Sequence, residues 1–249
     1  MNTPTDQRQP KIERKITGSI TAMIQGHFEE IEAPLFAINW FDTRVEPVYH
    51  FYNWLAASRV FKIGGKVLFK GKNLQPISGN EALARKLLLI VNYPSAHAFL
   101  DLLSDRIFQV VSVFRVLAVK QFSFVLQKRI GEPQLLMEQI PKLEGPAKSY
   151  AVLHFSGIED LQLESAKQQL DRIASTNGCD LMFYGYESGR VATVKTGDEP
   201  SAVEYITPAT AVFSSAEQAN LLKYFEGAEF EEFTKQLDDH YAALLERTM

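Results

Sequence analysis

The chain of 249 residues carries one cysteine, Cys179. A single thiol excludes an intrachain disulfide and fits a reducing compartment. No apolar run approaches the roughly 20 residues that a membrane helix requires. The opening stretch, Met1 to Lys15, is polar and mixed in charge, and lacks the apolar core of a signal peptide. Residues 1–14 are therefore expected to be disordered, and the protein to be cytoplasmic with no membrane partner. Positive charge is not in excess: the formal net charge is -4, against the positive surface that general nucleic-acid binding requires. No zinc-ligand spacing, nucleophile elbow or dinucleotide fingerprint occurs. Gly64-Gly65-Lys66 lacks the spacing of a phosphate loop. No metal and no cofactor is expected on these grounds. What remains is an ordinary globular composition, 46% hydrophobic and 22% charged, long enough for one large domain or two small ones.

The pattern along the chain is that of an α+β protein. Lys15 to Ile24 alternates apolar residues with threonine and serine and reads as a strand. Leu35 to Phe41 reads as a buried strand. Asp42 or Thr43 can cap the helix that follows, with Pro47 in its first turn. Gly64-Gly65 stops that helix, and Lys66 to Phe69 is a short strand. Leu87 to Val91 is uninterruptedly apolar. Ser95 can cap a long helix carrying Phe99, Leu103, Ile107, Val110, Phe114 and Leu117 on one side. Phe122 to Leu126 is the next strand. Residues 131–148 contain three prolines and two glycines and read as a linker. The order then starts again: a strand at Tyr150 to Phe155, a helix at Leu161 to Ala174, a hairpin about Ser188-Gly189, a strand at Tyr205 to Phe213, and a helical tail from Ser214-Ser215 nearly to Met249, broken at Gly227.

Written as element order, Leu35 to Leu126 is β-α-β-β-α-β and Tyr150 to Met249 is β-α-β-β-α. This is one split βαβ unit used twice, that is, two ferredoxin-like repeats at 15–130 and 149–249. The second lacks a last strand, which the extra N-terminal strand is expected to supply. Leu35 to Ile38, Leu87 to Val91 and Ala209 to Phe213 are apolar on both faces, whereas a sheet with one open face would alternate. The second face must be covered. Two sheets packed face to face in one chain do this, and so does a homodimer.

Tyr49-His50-Phe51-Tyr52, Phe61 to Leu68 with its Gly-Gly turn, Leu88 to Ser95, Phe108 and Arg115 together resemble the small dimeric α/β-barrel proteins, and within them the family called domain of unknown function 1330. The likeness covers about residues 35 to 129. It implies an α/β barrel with a small apolar ligand held between sheet and helices. The superfamily includes cofactor-independent monooxygenases, haem-degrading oxygenases and pure binding modules. Each chemistry uses different residues, so no catalytic set carries over.

The site residues expected are these. His50 is a general-base candidate if a carboxylate orients it, against the alternative of an exposed surface histidine. Asn39-Trp40 and Asn92-Tyr93 end neighbouring strands, and only one residue of each pair can enter a pocket. Asn39 and Asn92 are the polar choices there, to orient a ligand or an oxygen intermediate. Arg115, on an apolar helix, can pin a carboxylate or pair with Asp101 or Glu46. Tyr52 shares the helix of His50. Haem would need an axial histidine such as His154 or His97. Tyr184, Tyr186 and Tyr205 can line a pocket but more simply pack. Lys66, Lys70 and Lys72 read as a basic sheet edge. The leading function is thus a small-molecule enzyme or binder of monooxygenase type, taking a small apolar or carboxylate-bearing ligand in the first repeat. The alternatives are a non-catalytic module with a filled core and a haem-interacting protein.

Overall fold

The computed structural model describes residues 12–16, 20–26, 34–130, 149–196, 199–201 and 208–248. The N-terminal half runs β3 (Leu35–Thr43), α1 (Glu46–Lys62), β4 (Lys66–Gly79), β5 (Leu87–Tyr93), α2 (Ala96–Ser104), α3 (Arg106–Ala118) and β6 (Val119–Arg129), preceded by β1 (Ile12–Ile16) and β2 (Ile20–Gly26). The C-terminal half runs β7 (Ser149–Ser156), α4 (Leu163–Thr176), β8 (Asp180–Thr196), the short β9 (Glu199–Ser201), β10 (Ala209–Ser215), α5 (Gln218–Glu226), α6 (Ala228–Thr234) and β11 (Asp239–Arg247). The expected 131–148 linker, residues 1–11 of the expected disordered start and Tyr205 lie outside the described residues, whereas residues 12–14 of that start belong to β1.

All pairings are antiparallel, and the strands are ordered β4-β5-β3-β6 in one half and β8-β10-β7-β11 in the other. In both halves the spatial order is second, third, first, fourth. The halves join at both edges, β4 with β11 and β6 with β8, so eight strands close into one barrel. The expected mixed α+β barrel within one chain is what forms: the two four-stranded sheets hydrogen-bond along both edges, which leaves no unpaired edge inside the barrel. Gly79, at φ 93°, lies at the β4–β11 seam, where an added Cβ would collide with the His240 carbonyl.

Period-two alternation in the strands sorts the core. Phe36, Ile38 and Trp40 of β3, Leu88 and Ile90 of β5, Tyr150 and Val152 of β7, and Tyr241 and Ala243 of β11 pack together inside the barrel. Leu35 and Ala37 face outward under α1–α3, and Ala151, Leu153 and Phe155 face outward under α4–α6. The strands are apolar on both faces because both faces are covered. Trp40 places its indole N–H on the Leu83 carbonyl at 2.7 Å, satisfying the polar atom of a fully buried ring.

Several boundaries differ from expectation. The tail read as helix ends in β11, which is the missing fourth strand. The N-terminal segment does not supply it: β2 pairs with the far end of β8. β8 is one 17-residue strand with Ser188-Gly189 inside it, not a hairpin. The long helix breaks at Asp105, whose side chain accepts the Phe108 N–H and starts α3 afresh. Ser95 caps α2 as expected, accepting from the Ala98 N–H. Neither Asp42 nor Thr43 caps α1, whose N-cap is Val45. Asp42 instead accepts the Lys86 N–H at 2.8 Å. β4 is not an edge strand, so its lysines do not guard one. No helix among the described residues is long and apolar enough to cross a membrane.

Candidate functional site

A cavity of about 390 Å³ lies in the N-terminal half, between the outer face of the sheet and the helices α1 and α3. Its floor is Asn39 and Phe41 of β3 with Leu89, Val91 and Tyr93 of β5. Its roof is α1, which presents Tyr49, Tyr52, Ala56 and Val60 at three- and four-residue spacing. Arg115 and Phe108 reach in from α3, and Lys70 from β4. The space exists partly because α1 turns Ala56 and Ala57 toward the sheet, where a Leu or Phe would fill it.

The polar atoms are few and of definite sign. No aspartate or glutamate lines the cavity, whereas Lys70 and Arg115 both do. The Lys70 ammonium stands 5.4 Å from the Tyr49 ring centre, and the Arg115 guanidinium 5.0 Å from that of Phe122. Between them Phe41 contacts both rings, at 5.3 Å and 6.0 Å. An aromatic ridge thus runs between two cations, each held by cation–π contact. Burial lowers the Lys70 pKa, with Glu46 pulling it back up. Burial holds the Tyr49 and Tyr93 phenols far above their usual titration range, so both are neutral donors. The buried Tyr49 hydroxyl has no hydrogen-bond partner; the Asn53 amide sits beside it without closing a bond of normal geometry.

Of the residues singled out from sequence, Asn39, His50, Tyr52 and Arg115 line this one cavity. Asn92 does not. It is buried on the other face of β5, and its amide donates to the Leu35 and Tyr93 carbonyls at 3.4 and 3.2 Å. Tyr93, its neighbour, takes the outward place. The Asn39 amide nitrogen donates to the Ala37 and Leu89 carbonyls, both at 3.2 Å. Its two hydrogens are spent, so it offers an acceptor oxygen and cannot donate to an oxyanion. His50 sits at the rim, mostly exposed, 3.8 Å from the Glu46 carboxylate. Arg115 pairs with neither Asp101 nor Glu46: Asp101 stands with His97 at 3.4 Å. Lys70, Tyr49 and Tyr93 were missed as lining residues. The two-residue alternation of β4 and β5 is the signal for Lys70 and Tyr93, and it requires knowing which face carries the helices; for Tyr49 the signal is its three-residue spacing from Tyr52 on α1.

The histidines invoked for haem do not meet the cavity. His97 is exposed on α2. His154 is inside the barrel against Trp40, with ring centres 5.1 Å apart. Thr210 Oγ1 accepts from the Gln127 amide at 3.0 Å and lies 3.0 Å from His154 Nδ1. His154 Nε2 is a buried atom with no hydrogen-bond partner. Burial depresses the His154 pKa to about 3, so the ring is neutral. Tyr184 is packed against Phe155 in the core of the C-terminal half, 6.0 Å between ring centres. Among the described residues no group of three or more histidine, cysteine, aspartate or glutamate side chains could hold a metal ion.

No family model and no curated protein matches the chain. Solved structures do. A candidate monooxygenase of Fusobacterium nucleatum subsp. nucleatum superposes with a TM-score of 0.50 at 11% identity, over 88% of this chain and 94% of that one. An anthrone oxidase-like protein gives 0.48 at 9% identity, over 90% and 94%. A chlorite dismutase variant from Candidatus Nitrospira defluvii gives 0.47 at 10% identity, over 89% and 94%. At 11% identity the first of these is a likeness of fold alone, and it extends over 88% of this chain.

Proposed function

We propose that the N-terminal half is a small-molecule site, and that its ligand is apolar and of aromatic size with one anionic group, a carboxylate in the simplest case. The observation that carries this is the charge of the lining: two cations and no carboxylate around a largely aromatic cavity. An anionic ligand would meet the Arg115 guanidinium, whose planar fork matches a carboxylate, and its rings would lie along Phe41 and Tyr52. In this reading the chain is a tandem of two ferredoxin-like repeats, 15–130 and 149–249, joined through 131–148. The first is related to the domain of unknown function 1330 family and keeps the site.

The test is a matched pair of probes, 1-naphthoate and 1-naphthamide, followed through the emission of Trp54 at the cavity rim. Naphthoate is expected to bind at least about tenfold more tightly, a difference of roughly 1.4 kcal/mol. Arg115→Gln is expected to abolish that preference. Equal binding of the two probes, or no binding of either, would defeat the reading.

A second reading, oxygenase chemistry without a cofactor, is favoured by His50 with Glu46 beside it at the rim of the same cavity. His50 would take a proton from the ligand, and Asn39 would position it as an acceptor. Dioxygen uptake on adding 1-hydroxy-2-naphthoate, lost in His50→Ala, is the expected signature; uptake unchanged in that variant removes His50 from the role.

A further inference from the structure

The outer surfaces of the two helical layers are unlike. On the C-terminal half Leu161, before α4, is the large apolar residue left exposed among the described side chains. On the N-terminal half Phe51, Trp54 and Phe61 project from α1 at spacings of three and seven. Ile107, Val110 and Leu117 do the same from α3. Their exposures run from 48% to 71%. The two helices are antiparallel neighbours: Phe51 meets Phe114 edge to face at 5.3 Å, and Arg59 pairs with Asp105 further along. The stripes therefore lie side by side as one patch. Ser58, which interrupts the α1 stripe, turns its hydroxyl back onto the Leu55 carbonyl at 2.7 Å.

Both helices also bury apolar residues on their inner sides, Tyr49, Ala56 and Val60 on α1, and Phe108 and Val111 on α3. An apolar outer stripe on a helix whose inner side is already buried is a face left to be covered. The exposed side chains of this patch present on the order of 700 Å² of apolar surface. That exceeds the roughly 300–600 Å² of the largest patch on a typical monomer and approaches the ~800 Å² per partner of a standard interface.

We propose that this face is the interface of a homodimer, with α1 and α3 of one protomer packed on α1 and α3 of its partner about a two-fold axis. Such an interface is self-complementary, so one patch serves both sides. A two-fold axis perpendicular to the helices, near Trp54 and Val110, sets the Glu46 end of one helix pair opposite the Lys62 and Arg106 end of its partner. Trp54 and Phe61 also line the cavity, so the dimer covers its rim. The interface itself does not depend on any ligand.

The test is sedimentation equilibrium of the full chain, alone and as the Ile107→Glu/Val110→Glu variant, with circular dichroism to check the fold. Wild type is expected to be a dimer at about 10 µM, and the variant a folded monomer whose dissociation constant has risen at least about 100-fold, since two buried carboxylates oppose association. Val110→Cys, near the two-fold axis, is expected to cross-link on oxidation, whereas Lys167→Cys on α4 is not. The native Cys179 is buried and stays silent. A monomeric wild type overturns the proposal, and so does a dimer that the double variant leaves intact. A monomer that pellets with phosphatidylserine vesicles does the same, and assigns the face to a lipid surface.

Discussion

The two halves of the barrel share a connectivity and a strand order, yet among the described residues one fills the layer between helices and sheet with aromatic rings and the other leaves a cavity there. In the C-terminal half Tyr224, Phe225, Phe230 and Phe233 of α5 and α6 fill the layer between helices and sheet, with Phe213 and Phe155 beneath them. Their rings meet at 4.6 to 6.3 Å in edge and tilted pairs. In the N-terminal half the corresponding layer holds Ala56 and Ala57 and encloses a cavity. Backbone topology therefore does not decide whether this layer is filled by aromatic rings or encloses a cavity. The side chains on the inner face of one helix do. The outer faces differ in the same sense: polar over the filled half, apolar over the hollow one.

The contrast can be broken most severely in the filled half. Phe233→Ala there is expected to cost about 3–5 kcal/mol in urea denaturation, because a dense aromatic layer cannot collapse onto the void. The barrel interior gives the next effect. His154 is neutral, its pKa depressed by burial to about 3 from the ordinary histidine value of 6.5. Between those values the unfolded chain binds the extra proton, so stability is full above pH 6.5 and is lost as pH falls toward 3. The steepest slope from this group is about 1.4 kcal/mol per pH unit. His154→Gln is expected to flatten that segment of the stability–pH curve, and a curve of unchanged slope would refute the assignment.

In the hollow half the expected effects are on binding. Arg115→Gln should weaken 1-naphthoate by about 10- to 100-fold, a loss of roughly 1.4–3 kcal/mol, and leave 1-naphthamide unchanged by the same titration. Ala56→Leu should fill the cavity. It is expected to reduce naphthoate affinity at least about tenfold while moving stability by no more than about 1 kcal/mol. A loss of several kcal/mol in that variant would mean that the N-terminal layer is as tightly packed as the C-terminal one, and would remove the contrast.

Much of this architecture is legible in the residues. The strand at Leu87 to Val91 is apolar on both faces, and that alone requires two layers against it. Gly64 takes φ 79° at the end of α1, where sequence placed a stop. Asn39, His50, Tyr52 and Arg115 could be drawn to one pocket because helix and strand periodicities put them on facing surfaces. What failed did so for reasons of long-range pairing. The segment Asp239–Arg247 carries an acidic start and a Leu-Leu-Glu-Arg end, which locally favours helix. It becomes a strand because β4 and β7 offer it two open edges. Asn92 was the wrong member of its pair because nothing local distinguishes the inner from the outer face of β5. Lys70 reads locally as an edge lysine, and only the long-range pairing of β11 with β4 removes that edge.

The most direct test of a ligand site confined to the N-terminal half is a crystal structure of the chain with 1-naphthoate. The carboxylate is expected about 2.8 Å from the Arg115 guanidinium, with the rings between the β3–β5 sheet and α1. The aromatic layer under α5 and α6 is expected to be unchanged. Ligand density inside the barrel beside His154, or in the C-terminal half, would contradict the account.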